Sequence, residues 1–255
     1  IKLPGLNLFS TFKFRDRLDL FLNKKNKSFD DWYEFSSTLL GGFPELQTFG
    51  NRAHSYLLDK TYDVVIDNQS ISYGAVKIQD SFPLVEMMHH PISKDYYYDL
   101  KFAKGILQRI SKIRWYSFLK MQKISAKKIN VIVTPSVNSK ADIHIDFKVP
   151  MENIQVIPNG IDCDIFCPLP HILSKKHRLI TTASADVPLK GLDFLLEAIA
   201  RLKPEYPDIH LMVIGSPRKE GHTERLIKKL ELEKHVSFKT NLTKEEITQE
   251  YAQSE

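Results

Sequence analysis

The stretch Val156-Ile157-Pro158-Asn159-Gly160-Ile161-Asp162, closed by Phe166 and Pro168, decides how the 255-residue chain is divided. Ile154 to Ile157 is a short apolar run suited to a buried strand, and Pro158 has no amide to offer a continuing ladder. Asn159-Gly160 readily takes positive φ and turns the chain. Local chemistry alone reads as a strand followed by a tight turn. Whether that turn also joins two halves depends on what flanks it.

On both sides the pattern is strand alternating with helix. Ahead of the turn, Tyr62–Ile66, Pro83–Met88 and Val131–Thr134 read as strands, with helices expected over Ile71–Ile78 and Val137–Phe147. Further upstream, Ser28 is placed to cap a helix through Trp32, Phe35 and Leu39. Gly41-Gly42 ends it, and Pro44 opens another that reaches Leu58. After Pro168 the alternation restarts: strands over Arg178–Ser184, His210–Ile214 and Val236–Phe238, helices over Gly191–Leu202 and Glu224–Leu232. A last helix is capped by Thr243 with Glu246 at the capping-box position. Leu192, Leu195, Leu196, Ile199 and Leu202 form a stripe for packing on a sheet. Such alternation predicts parallel sheets with helical crossovers.

Composition narrows the class. With 42% hydrophobic and 26% charged residues the chain can bury a core. It has no apolar run near the roughly 18 residues that span a bilayer. Two cysteines in 255 residues argue against a disulfide framework and for a reducing cytoplasm. The chain starts without an initiator Met or a signal-peptide pattern and stops inside an unfinished helical pattern, so an internal fragment is expected. The net charge of +5 is concentrated: from Leu100 to Ala141 there is no Asp or Glu against ten Lys and Arg. So one-sided a block points to an anionic neighbour or to a solvated helix face. In its first half Phe102, Ile106, Ile110 and Ile113 share a helical face, with Lys101, Lys104 and Lys112 turned away.

Open α/β sheets bind ligands beyond the carboxyl ends of their strands. One such place is Ser184 to Gly191, where Lys190 lies at the amino end of a helix whose unpaired N–H groups favour an anion. Another is His89, which ends the strand over Pro83–Met88 and can hydrogen-bond a sugar hydroxyl or share a proton near neutral pH. His90 is the weaker candidate, since it points elsewhere if the segment is extended. Asn68 and Gly74 sit by a neighbouring strand end and are candidates for an acceptor pocket. Cys163, Cys167, His171 and His177 give C-x3-C-x3-H-x5-H, but the His pair follows too soon for a zinc finger, and no metal ligands are assigned.

The V-I-P-N-G-I-D…F-x-P stretch resembles the signature that closes the first domain of family-4 retaining glycosyltransferases of the GT-B type. That resemblance implies an α/β protein of two Rossmann-like domains facing a cleft. Residues 1–165 would be the acceptor-side domain with its first strand missing, and 166–255 a partial nucleotide-sugar-binding domain. Pro158, Asn159, Gly160 and Asp162 would form the joint between them. The family carries G-R-x-x-x-x-K-G at the first strand end of its second domain, and its Arg and Lys bind the donor diphosphate. Lys190 and Gly191 match the K-G, while Ser184 and Ala185 stand at the Gly and Arg positions. Gly215 and Ser216 match the next strand-end loop, and His89 matches a His that meets the transferred sugar.

The implied activity is transfer, with retention, from a nucleotide-diphosphate sugar to a glycan or lipid acceptor. Neither cofactor nor obligatory metal is expected. The family's E-x7-E pair falls beyond the chain end, so the chain alone is expected to be inactive. An anionic membrane surface through residues 100–141 is a further expected partner, at the inner face of the membrane. Two other readings stay open: a sugar-nucleotide epimerase of the same fold, and a basic module binding nucleic acid or membrane. No nucleic acid is expected, because aromatic-interleaved strands and helix-turn-helix spacing are absent.

Overall fold

The computed structural model describes residues 3, 5, 6, 8, 11, 13–103, 105–182 and 190–255. The chain forms two compact units, residues 1–159 and 160–255. In the first, helices α1 (Phe14–Asn23), α2 (Phe29–Leu39) and α3 (Glu45–Leu57) precede β1 (Val65–Asn68), α4 (Tyr73–Gln79) and β2 (Leu84–Met87). Helices α5 (Ser93–Lys101), α6 (Ile106–Trp115) and α7 (Leu119–Ala126) lead to β3 (Ile132–Thr134), α8 (Val137–Phe147) and β4 (Ile154–Val156). The strands pair in the order β1-β2-β3-β4, every pair parallel. The second unit contains β5 (Arg178–Thr182), α9 (Leu192–Leu202), β6 (His210–Ile214), α10 (His222–Lys229), β7 (Val236–Lys239) and α11 (Lys244–Ala252). Its sheet runs β5-β6-β7, also parallel.

Local chemistry sets the boundaries. Ser28 and Asp31 form a reciprocal capping box that starts α2, and Thr243 and Glu246 do the same for α11. Each unit has its own core. In the first, Ile78, Leu84, Ile132, Phe147 and Ile154 meet between sheet and helices. In the second, Leu196, Ile199, Leu211, Val213 and Leu232 do. Most of the α9 stripe is turned inward: Leu192, Leu196 and Ile199 are buried and Leu195 is half-buried, while Leu202 at the helix end is exposed.

Three expectations change. Strand β1 begins at Val65 and carries on through Asp67 and Asn68, because the polar pair remains hydrogen-bonded to β2 rather than opening a loop. The turn after β4 is made without positive φ at Asn159 or Gly160; the division between units falls between these two residues. The first half of the basic stretch is divided between two helices. Helix α5 ends with Phe102 at its C-cap, and Gly105, at φ +89°, precedes α6, so Phe102 does not share a helix with Ile106, Ile110 and Ile113. Lys112, off that apolar stripe, has its Nζ 2.6 Å from Asp99 Oδ2 on α5. Lys104 lies outside the described residues.

The amino-terminal helices, the least informative part of the sequence, are joined by charge. Asp31 and Glu34, both buried on α2, receive Arg52 from α3, and Lys24 reaches Asp31 at 2.6 Å. Burial pushes the Asp31 carboxyl up, but Lys24 and Ser28 outweigh it and hold the group below its ordinary value.

Candidate active site

Strands β1 and β2 end side by side, Asn68 opposite Met87. Met88 is buried beneath the sheet end, and His89 then emerges half-buried at the carboxyl edge. Its ring Nε2 lies 2.8 Å from Asn68 Oδ1. Its backbone amide donates to Gln69 Oε1 at 3.2 Å, and its carbonyl accepts from Ser139 Oγ at 3.4 Å. With the Asn68 carbonyl as acceptor, Nε2 carries the proton and Nδ1 is left as an acceptor. The structure therefore brings His89 and Asn68 together. His90 turns to another partner, Asp95 on α5, at 3.1 Å.

Gly74 belongs to a different contact. It is buried in α4 where that helix crosses α3, and a Cβ there would stand 2.1 Å from the Gly50 carbonyl group. Its lack of a side chain serves close helix packing, not the lining of an acceptor pocket.

The turn that carries Asn68 is unusual. Gln69 (φ +70°) and the buried Ile71 (φ +47°) are left-handed, a conformation that side chains, and β-branched ones above all, rarely adopt. Ser70 donates its hydroxyl to Asp67 Oδ2. Directly across the ladder from Asp67 is Glu86, whose side chain is fully buried and whose carboxyl oxygens make no hydrogen bond of ordinary geometry. Burial first, then the neighbouring Asp67 carboxylate, raise its pKa well above the ordinary value, while the nearby Gln69 and Ile71 amides act in the opposite sense. Glu86 does not stand out in the sequence, because a single Glu in an apolar strand carries no spacing signal.

In the second unit the strand-end groups are Lys190, Gly191, Gly215 and Ser216. Lys190 is exposed one residue before Gly191, which at φ +71° is the N-cap of α9 and supplies no side-chain cap. A left-handed N-cap explains the requirement for glycine there. The first N–H groups of α9 thus receive no side-chain acceptor from the cap. Ser184 and Ala185 lie outside the described residues. Gly215 follows β6 directly and donates its amide to the Lys239 carbonyl at 2.8 Å, with Ser216 exposed beyond it. A link not visible in the sequence ties the helix starts together: Asp193, in the first turn of α9, is 2.9 Å from Nε2 of His222, the first residue of α10.

A cavity of about 650 Å³ lies in this unit between residues 161–170 and α11, but none of Lys190, Gly191, Gly215 or Ser216 lines it. Cys163 and Cys167 are free, exposed thiols. Among the described residues no group of three or more His, Cys, Asp or Glu is placed to hold a metal ion.

Two parallel sheets with these strand-end groups are the GT-B glycosyltransferase fold, and solved structures agree. Sucrose-phosphate synthase from Thermosynechococcus elongatus superposes with a TM-score of 0.62 at 17% identity, over 81% of this chain and 52% of that one. The pneumococcal O-GlcNAc transferase GtfA, in complex with UDP and GlcNAc, gives 0.56 at 19% identity, over 82% and 39%. Residues 26–165 match the family model described as Glycosyltransferase Family 4, and residues 170–255 the one described as Glycosyl transferases group 1. The chain belongs to Glycosyltransferase Family 4.

Among curated proteins it is 36% identical to the MMP alpha-(1->4)-mannosyltransferase of Mycolicibacterium hassiacum, over all of this chain and 61% of that protein. It is 25% identical to the GDP-mannose-dependent alpha-(1-6)-phosphatidylinositol monomannoside mannosyltransferase of Mycolicibacterium smegmatis, over 42% of this chain and 30% of that one. The chain thus spans about three fifths of the first relative and less of the second.

Proposed function

We propose that this chain is part of a retaining glycosyltransferase that moves a mannose-type sugar from a nucleotide-diphosphate donor to a glycan or lipid acceptor. The observation that carries the reading is the His89 ring, held by Asn68 at the carboxyl edge of a parallel sheet in a family-4 chain. Mannose is inferred from the two relatives, and a guanosine diphosphate donor from the second. In this reading residues 1–165 present the acceptor and residues 166–255 hold the donor. The joint runs through Pro158, Asn159, Gly160 and Asp162.

Breaking the anomeric C–O bond leaves oxocarbenium-like charge on the sugar and negative charge on the departing diphosphate. Lys190 and the uncapped amino end of α9 would stabilise that leaving group as its charge develops, and no metal is assigned. Gly215 and Ser216 would let the backbone approach the sugar nucleotide. His89 would hydrogen-bond a hydroxyl of the transferred sugar or share its proton.

A thermal-shift panel of nucleotide sugars, run on the intact protein and on Lys190→Ala, tests the donor side. At a hundred times Kd a specific donor stabilises by about 2.7 kcal/mol, and the variant should lose most of that shift. An undiminished shift removes Lys190 from the donor site. A free epimerised sugar nucleotide as the sole product would overturn the transferase reading itself.

Helix α6 carries the membrane part of the proposal. Ile106, Leu107, Ile110 and Ile113 are all exposed, none of its residues is buried, and Arg109 and Arg114 accompany them with no acid on the helix. Apolar and cationic side chains together suit an anionic lipid surface on the cytoplasmic side. No helix among the described residues is long and apolar enough to cross a membrane. In flotation, the protein should rise with vesicles containing anionic lipid and not with neutral ones. Ile106→Ser/Leu107→Ser should weaken the association roughly tenfold. Equal absence from both vesicle types would remove the membrane from the account.

A further inference from the structure

We propose that Glu86 is a positioning residue, whose buried carboxyl shares one proton with Asp67 and so clamps the Asp67–Ile71 turn that presents Asn68 to His89. The inference rests on the reading of His89 as the sugar-facing group.

The geometry begins with the ladder. Asp67 and Glu86 are register partners on adjacent parallel strands, so their side chains leave the same face of the sheet. Glu86 is fully buried, with Ile132 as its partner on the other side. An isolated ionised carboxylate there would have neither water nor cation, a cost that proteins avoid by keeping the group protonated. The ionisable group acting on it is Asp67, itself half-buried and accepting from the Ser70 hydroxyl. Two carboxyls so placed hold one proton between them, and the protonated one donates to the other.

The turn needs such a clamp. Its two left-handed residues, Gln69 and Ile71, persist only where surroundings hold them. Those surroundings are the Ser70–Asp67 bond, the buried Gln122 amide donating to the Ser70 carbonyl at 3.3 Å, and the buried Glu86 side chain opposite Asp67. Both contacts that orient His89 from this side, Asn68 Oδ1 to its ring and Gln69 Oε1 to its amide, come from the same five residues. Release of the clamp therefore frees the ring without touching any group that would meet substrate.

Three variants of the intact protein test this. Glu86→Gln keeps the size and a donor for Asp67, Glu86→Leu keeps approximate size and loses the donor, and Asp67→Asn removes the charged acceptor. The first readout is the ¹⁵N spectrum of the His89 imidazole without substrate. The wild type and Glu86→Gln should show one tautomer, protonated at Nε2. Glu86→Leu and Asp67→Asn should show averaged nitrogens. If Glu86→Leu fails to fold, Asp67→Asn carries the comparison; a folded Asp67→Asn with the wild-type spectrum overturns the inference, as does an averaged spectrum in Glu86→Gln.

The second readout is unfolding temperature against pH. Because Glu86 titrates higher folded than unfolded, the native wild type holds a proton that the unfolded chain releases above about pH 4.5, so its stability falls with rising pH. Glu86→Gln has no such proton. Its melting temperature should gain on the wild type by about 3 °C or more between pH 4 and pH 8, and a constant difference overturns the inference. Neither readout needs sugar transfer, so failure of the transferase reading would leave these results intact.

Discussion

His89→Ala should lower the turnover of sugar transfer by about 10²-fold or more while leaving the nucleotide-sugar thermal shift nearly unchanged. The ring would act on the sugar in the transition state, whereas donor affinity is proposed to lie in the second unit around Lys190 and α9. Asn68→Ala should cost less, about tenfold, because the imidazole remains but loses the bond that fixes its tautomer. Steady-state release of nucleoside diphosphate by the intact protein, in the presence of a glycan or lipid acceptor, measures both. A turnover within twofold of wild type for His89→Ala would exclude the ring from catalysis. A donor shift lost along with turnover would instead place His89 in donor binding.

The largest effect on stability is expected at Arg178→Ala. Arg178 opens β5 and is buried with Glu250 of α11. Its guanidinium meets the Glu250 carboxylate, the Glu250 carbonyl at 3.0 Å and Ser254 Oγ at 3.0 Å. Lys239 reaches the same carboxylate at 2.6 Å but is itself half exposed. Burial pushes Glu250 up, while Lys239 and Arg178 together hold its carboxyl below the ordinary value. Removing the arginine leaves a buried carboxylate with one exposed partner, and such truncations cost about 3–5 kcal/mol.

Urea unfolding should show this loss at pH 7. Since a depressed carboxyl stabilises above its unfolded value and loses that contribution as pH falls through the folded one, the variant should differ less from wild type below about pH 4. The double replacement Arg178→Met/Glu250→Leu should recover most of the loss, as apolar pairs of similar volume do for buried ion pairs. A loss under 1 kcal/mol for Arg178→Ala would show that α11 is held by its apolar contacts alone.

How far the residues foretold this depends on the range of the interaction. Helix α8 and strand β6 fall on the expected residues, and the Thr243–Glu246 capping box forms as read, because each is specified within a few positions. The separation into two sheets followed from Pro158 blocking extension of β4, although the turn itself uses no left-handed Asn or Gly. The break between α5 and α6 was missed because apolar spacing continues across Gly105 while the backbone does not. At the site, His89 was visible as a strand-end residue, but its hold by Asn68 depends on register between strands about twenty residues apart. Gly74 was misplaced for the same reason, since its partner Gly50 is on another helix. The Asp67–Glu86 and Asp193–His222 pairs are likewise tertiary, and no local pattern announces them.

Because no described strand is shared between the two sheets and each has its own apolar interior, damage should stay where it is inflicted. Melting of Arg178→Ala should proceed in two steps, the carboxyl-terminal half first, with the imidazole resonance of His89 surviving that first step unchanged. The molecule then carries an internal reference, one half reporting its native state while the other is perturbed.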